Sequence, residues 1–440
     1  MRLRSLFLSL VAVVALVWFA PAPAFAATTP TEAAAIAAAK ADHTAYTLPP
    51  DKLAKAAEIS RFYDTLYFAR AGWGMLVVFL ILQLGIAARM RDAAVRWRDN
   101  PWSQGPTFLL QLLLLVTLLK LPLGMLGHHE SVKYGFSVQR WGSWLGDQAK
   151  TFVLVWGIGS MFVMLLYLLI RRFPRRWWLW LWFPTMAFIL FGTYLSPLLI
   201  DPLYNKFEPL SEANPALVAQ MEQVAKHGGI DIPPERMFLM KASAKTTGLN
   251  AYVTGFGSSK RLVVWDTLLG KATQDEISLI AGHEMGHYVL GHIVRGVLES
   301  FAGILLAFFV GFHLFQFLLR RFGARWRIPS QQDWAAVVVM YLVMTVISFF
   351  AEPIGNAFSR SMEHDADVFG QEVVHGIVTD PQAAGQASFQ LLGENEFVDP
   401  NESPLVEFWT DSHPSIAFRA AFSKHYDPWA PGEEPKYFKK

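Results

Sequence analysis

Six long apolar stretches, at residues 71–88, 105–127, 151–170, 177–200, 301–319 and 334–350, constrain this chain more than any other feature. A helix rises about 1.5 Å per residue, so most of them are long enough to cross a hydrocarbon core of about 30 Å with some tilt. The composition agrees. Of the 440 residues 53% are hydrophobic and only 17% charged, and 34 Phe and 16 Trp supply more apolar surface than one compact core needs. A soluble globule, a disordered chain and a collagen-like chain are excluded, and a mainly α integral membrane protein is expected. A net charge of +2 lacks the basic face that a nucleic-acid partner requires. The chain has no Cys, so any metal must be held by His, Asp or Glu.

The N-terminus carries Arg2 and Arg4, an apolar run over 6–20, and Ala24 and Ala26 in A-x-A spacing. This is the pattern of a secretory signal cleaved after Ala26; the alternative is an uncleaved first membrane helix. Cytoplasmic loops are enriched in Lys and Arg, and the arginines cluster at 89–98, 171–176 and 320–327. Counting crossings puts all three clusters on one side. Segments 27–70, 128–150, 201–300 and 351–440 then emerge on the other, non-cytoplasmic side. Lys120 lies inside the second stretch, where a charge costs about 3 kcal/mol on insertion scales, so it is expected to snorkel or to face a polar interior.

The expected organisation is a signal at 1–26, an N-terminal membrane segment with four spans at 27–200, a mixed subdomain at 201–300, two spans at 301–350 and a C-terminal segment at 351–440. Within 201–300, helical spacing runs over 211–227 and stops at Gly228-Gly229. Strands are expected at 237–240, 250–254 and 262–265, the last two forming a hairpin around GFGSSK. Thr273 and Glu276 form a capping box for a helix that starts near Gln274. The tail after Pro428 reads as loop.

That capped helix carries His283-Glu284-Met285-Gly286-His287. Two histidines four apart project from one helix face, so both imidazoles can bind one Zn²⁺, and Glu284 can reach a water activated there. Gly282 and Gly286 allow another helix to approach closely. A catalytic zinc needs a third protein ligand and an open position. Glu363 is the candidate, with Asp367 four residues on, both on a helix continuing from the last span; Asp367 then accepts the free N–H of a ligand imidazole. His292 and His364 have no supporting spacing and read as structural.

HEMGH, the downstream Glu363-to-Asp367 pair, NAYVTGFGSSKRLVVWDTLL at 250–269 and SHPS at 412–415 together resemble the type-I CAAX prenyl endopeptidases. These are gluzincin zinc proteases related to the membrane heat-shock protease HtpX. The resemblance runs from about Tyr63 to the C-terminus and is strongest between Asn250 and Asp367. It implies a multi-helix transmembrane barrel around a water-filled chamber, with a gluzincin-type α+β domain. The family's barrel has seven helices; here either the N-terminal segment is the seventh or six close it. The resemblance also implies one Zn²⁺ per chain on His283, His287 and Glu363, with Glu284 as general base and acid. Asn250, Ala251 and Tyr252 would hold the substrate backbone, His413 would stabilise the tetrahedral intermediate, and Arg419 would lie nearby. Read alone, His413-Pro414 marks a helix start with Pro at its first position.

The expected function is hydrolysis of peptide bonds in membrane-associated or lipid-linked, CAAX-like polypeptides at a bacterial inner membrane, with the site on the periplasmic side. An HtpX-like quality-control protease is the first alternative. The second is a transporter or channel with structural histidines, which predicts intramembrane charges in several spans; only Lys120 fits it. The partners implied are a membrane-associated peptide or protein and the lipid bilayer, with no nucleic acid.

Overall fold

The computed structural model describes residues 27–255 and 259–438; the predicted signal, residues 1–26, lies outside them. In chain order, α1 (Pro30–Ala41) is followed by α2 (Pro50–Gln83), α3 (Ile86–Trp97), α4 (Pro101–Lys133), α5 (Trp141–Arg172) and α6 (Trp177–Tyr204). A mixed region holds β1 (Phe207–Pro209), α7 (Pro215–His227), β2 (Met237–Met240), β3 (Ala251–Thr254), β4 (Arg261–Trp265) and α8 (Gln274–Val289). Two long helices, α9 (His292–Trp326) and α10 (Ala336–Val373), lead to α11 (Pro381–Glu396), α12 (Pro404–Thr410) and α13 (Ile416–His425).

Six helices, α2, α4, α5, α6, α9 and α10, are long and apolar enough to cross a membrane, one for each apolar stretch. Helix α2 stops short of the expected residue 88, because Gly85 takes φ +65° and starts α3 in a new direction. The six long helices close a ring: α2 packs on α4, α4 on α5, α5 on α6, α6 on α9, α9 on α10, and α10 back on α2. Among the described residues, six helices therefore suffice for closure.

The ring is packed solid at one end. Its apolar core, with Ile81, Phe108, Tyr167, Trp178, Phe315 and Val338, lies next to the three arginine clusters. There Arg91 Nη1 lies 2.5 Å from Asp333 and donates to the Arg327 carbonyl, and Gln331 donates to the Pro174 carbonyl. All three clusters thus meet at one end of the molecule. Lys120 turns inward, as expected: its Nζ lies 3.3 Å from Tyr341 Oη on α10 and sits against Gly74 on α2.

At the opposite end the remaining segments converge. The α4–α5 loop bonds to residues 245–247, with Thr247 N donating to the Phe136 carbonyl at 3.1 Å. The Tyr46 hydroxyl donates to the Val398 carbonyl at 2.8 Å, and Lys52 pairs with Glu394 at 3.0 Å. Four strands form a sheet in the order β1-β2-β4-β3; β1 and β3 run antiparallel to their neighbours, and β2 and β4 are parallel. The expected hairpin is β3–β4, while β1 had no signal in the sequence. Leu217, Met221, Leu239, Leu262, Val264, Ile277 and Met285 form the core between this sheet, α7 and α8, and Phe369 and Val373 of α10 complete it.

Some local expectations change. The helical spacing over 211–227 is interrupted at Asn214, whose side chain caps α7 by accepting from Leu217 N at 3.0 Å. Pro414 does not open α13: Ser415 is the cap and accepts from Phe418 N. The tail after Pro428 has no regular structure, as expected, yet it is not solvent-borne. Glu372 of α10 accepts the N–H groups of Lys436, Tyr437 and Phe438, and buried Lys436 bridges Glu32 of α1 and Asp365 of α10. Residues 30–48, grouped by sequence with the membrane segment, instead pack on α10, α11 and α13 through Ala35, Ala39, Tyr46 and Leu48.

Candidate metal centre

Helix α8 starts where the sequence places it. Thr273 Oγ1 accepts from Glu276 N and Glu276 Oε2 accepts from Thr273 N at 2.8 Å, which satisfies two donors that a helix start leaves bare. Ten residues on, His283 and His287 project to one side. Helix α10 extends about 57 Å, roughly twice a hydrocarbon core, so Glu363 and Asp367 stand beyond the apolar stretch that ends at Phe350. The two helices cross in close contact, and glycines permit it. A Cβ on Gly370 would lie 2.8 Å from His283 N, and one on Gly282 would lie 2.7 Å from Val373 Cγ1.

The crossing brings three donors together. His283 Nε2 lies 3.2 Å from His287 Nε2 and 3.2 Å from Glu363 Oε2, and His287 Nε2 lies 3.5 Å from Glu363 Oε1. Tetrahedral ligands at about 2.05 Å from one ion stand about 3.3 Å apart, so this donor set fits a small tetrahedral cation. Glu363 Oε2 is buried and has no hydrogen-bond partner among the described residues, as expected for an oxygen aimed at a shared centre. These are the residues the sequence picked.

Their surroundings hold them in place. Asp367 Oδ1 lies 2.8 Å from His283 Nδ1, which fixes the proton there and leaves Nε2 free for a metal. Arg419, expected near the substrate, is buried and grips Asp367 with both Nε (2.9 Å) and Nη2 (2.6 Å), so its guanidinium braces the site. Burial disfavours the His283 imidazolium, but the carboxylates of Asp367 and Glu363 outweigh it and push the group up to about 9 in the metal-free protein. Burial raises Glu284 above the ordinary carboxylate value, against the opposing pull of His283 and His287. His413 is exposed at the cavity mouth; partial desolvation lowers its imidazole while the Glu363 carboxylate pulls the other way.

A cavity of about 540 Å³ opens on this centre, lined among others by Asn250, Ala251, His283, Glu284, His413 and Arg419. Strand β3 is an edge strand, bonded to β4 on one side only, and the Val253 N–H on its outer side meets the Glu284 carboxylate. An extended peptide can add to such an edge next to the metal donors. Strand alternation turns the Tyr252 side chain away, against Met240 and Val263, so of the three residues expected to hold substrate it offers only backbone. His413 Nε2 reaches to 3.2 Å from Glu363 Oε2, while its Nδ1 lies 2.9 Å from Ser412 Oγ.

Two histidines read as structural from sequence differ in outcome. His364 lies on the far face of α10 and meets buried Glu32 at 3.2 Å. His292 lies against His287. Helix α8 does not continue into the next span: Leu290 caps it, Gly291 takes φ +71°, and α9 starts at His292, whose Nδ1 lies 3.1 Å from His287 Nδ1.

A ring of membrane-crossing helices, with three metal donors and a buried carboxylate on an α+β domain at one mouth, defines the class of integral-membrane metalloendopeptidases. Residues 211–426 match peptidase family M48, and residues 36–206 match the CAAX prenyl protease N-terminal domain of five membrane helices. Over 392 residues the chain is 34% identical to an uncharacterised metalloprotease, YhfN, of Bacillus subtilis, covering 88% of each chain. It is 27% identical over 336 residues to CAAX prenyl protease 1 of Saccharomyces cerevisiae, covering 72% of this chain and 71% of that one. The crystal structure of S. mikatae Ste24p superposes with a TM-score of 0.70 at 22% identity, over 90% of this chain and 99% of that one. The chain belongs to peptidase family M48.

Proposed function

We propose that this metalloendopeptidase uses one Zn²⁺ per chain, held by His283, His287 and Glu363, to cleave membrane-associated or lipid-linked polypeptides of the CAAX type. The observation that carries the reading is the triad of donors 3.2 to 3.5 Å apart beside an edge strand, at the mouth of a helical ring. All-nitrogen-and-oxygen donors in a His₂Glu set with an open side suit a catalytic zinc, which supplies Lewis-acid activation of water and of the scissile carbonyl. Strand β3 and Asn250 hold the substrate backbone extended across the cavity. Glu284 takes the proton of the attacking water and delivers it to the leaving amine. Neutral His413 donates from its ring to the carbonyl oxygen as charge develops there, an interaction worth about 3 kcal/mol in comparable sites. Asp367, held by Arg419, keeps His283 in the ligating tautomer.

The arginine distribution supports a bacterial inner-membrane protein with this centre on the periplasmic side. Relatives named as CAAX prenyl proteases support a lipid-linked substrate. The test is metal analysis of the purified full-length wild type, Glu284→Ala and His283→Ala, paired with cleavage of a C-terminally isoprenylated peptide and its unmodified control. Glu284→Ala should retain zinc and lose turnover by about 10²- to 10⁴-fold, whereas His283→Ala should lose both. Wild-type cleavage should stop with chelator and return with Zn²⁺. Equal cleavage of both peptides would overturn the lipid-linked assignment in favour of general quality control.

A further inference from the structure

We infer that His292 is a positioning residue for the metal centre: its Nδ1 accepts the proton of His287 Nδ1 and so holds His287 in the tautomer that ligates. The inference rests on the zinc reading above. His287 presents Nε2 to His283 and Glu363, so ligation leaves its single ring proton on Nδ1, and that nitrogen lies 3.1 Å from His292 Nδ1. The proton of His292 then belongs on Nε2, which is buried and has no hydrogen-bond partner among the described residues. Such an arrangement is costly for a ring that merely fills space, since a buried polar atom without a partner destabilises the fold by about 1–3 kcal/mol. Its recovery comes from the other nitrogen.

Symmetry within the site strengthens the argument. Each ligand imidazole has an acceptor at the nitrogen facing away from the donors: Asp367 for His283 at 2.8 Å, with Arg419 Nη2 also 3.4 Å from that nitrogen, and His292 for His287 at 3.1 Å. The first partner is a charged carboxylate and the second a neutral ring, so the two ligands differ in basicity. The contact exists only because the chain breaks. On a continuous helix five residues turn through about 500°, which would aim His292 about 140° away from His287. Gly291, at φ +71°, redirects the backbone and returns the ring to the site.

The test measures zinc affinity of detergent-purified full-length protein by competition with a chromophoric chelator, together with the rate of zinc release. His292→Phe keeps the ring and removes the acceptor; it should weaken affinity about 10- to 100-fold, the range for loss of an outer partner of a metal ligand. His292→Asn places an acceptor oxygen near the position of Nδ1 and should restore most of it, while His292→Gln, whose oxygen reaches towards the Nε2 position, should not. A packing role predicts the reverse order, with Phe retained and Asn lost, and that result would overturn the inference. If His292→Phe does not fold, the Asn and Gln pair decides the question alone: equal affinity in the two rejects it. A wild type that takes up no zinc would overturn the metal reading itself, a result distinct from wild-type and His292→Phe proteins that bind equally.

Discussion

His283 is contested between a proton and a metal. With Asp367 and Glu363 on either side, the metal-free ring holds its proton up to about pH 9, against 6.5 for an unperturbed imidazole. Ligation needs the neutral ring, so binding below that pH releases a proton from His283, and apparent zinc affinity should rise by about tenfold per pH unit until it levels near pH 9. In the apo protein the sign for stability is opposite. A group whose folded pKa is raised stabilises fully below its unfolded value near 6.5 and loses that contribution as pH rises through about 9. Asp367→Asn removes the larger of the two carboxylate influences. Its levelling point should move down in pH, and its affinity above that point should fall about 10- to 100-fold because the imidazole loses its anionic partner. Chelator competition across pH 6 to 10 measures both. A wild-type affinity flat between pH 6 and 8 would contradict the assignment of the group that competes.

Helices α8 and α10 make the site by crossing, and the crossing depends on absent side chains. Gly370 has no room for a Cβ, which would lie 2.8 Å from His283 N and 3.0 Å from His283 Cα, both backbone atoms. Gly370→Ala should therefore separate the helices by a few tenths of an ångström, cost about 1–3 kcal/mol in stability, and weaken zinc binding more than the stability loss alone would suggest. Thermal melts with and without Zn²⁺ separate the two effects: the zinc-dependent shift should shrink in the variant. The sequence showed one half of this contact. Gly282 and Gly286 stand out because they flank the histidines on one helix, and HEMGH, the capping box and the Glu363–Asp367 pair are legible because helical periodicity is a local property. Gly370 pairs with them across 88 residues of chain, and nothing local marks it. His292 reads as structural for a related reason: five residues after His287 is not a helical spacing, and only the break at Gly291 brings its ring beside His287. The docking of α1 and of residues 436–438 on the far face of α10 likewise depends on long-range pairs, such as Lys436 with Glu32, which no spacing rule reaches.

The whole molecule is polar in the electrical sense. Its arginine clusters meet at the solid end of the ring, where Arg91 pairs with Asp333, and its metal donors sit at the other end. Positively charged loops are enriched in the cytoplasm, and the proposed orientation accordingly puts the two ends in different compartments. Alkaline phosphatase fused after Lys440 should be active and a green fluorescent protein at the same position dark, with the opposite pattern for fusions in the loop near Arg325. The ring carries the consequence further. Its interior is filled by apolar side chains at the arginine end, among them Ile81 and Val338, so a polypeptide cannot pass from that end straight through to the donors. Substrates must enter from the side of the centre or between helices from the bilayer. A fluorescent C-terminal fusion would reverse the orientation and make cytosolic, C-terminally prenylated proteins the direct substrates. An active phosphatase would restrict them to lipid-linked or membrane-held segments that have already crossed, and cleavage in spheroplasts should then be blocked by a chelator that does not permeate the membrane.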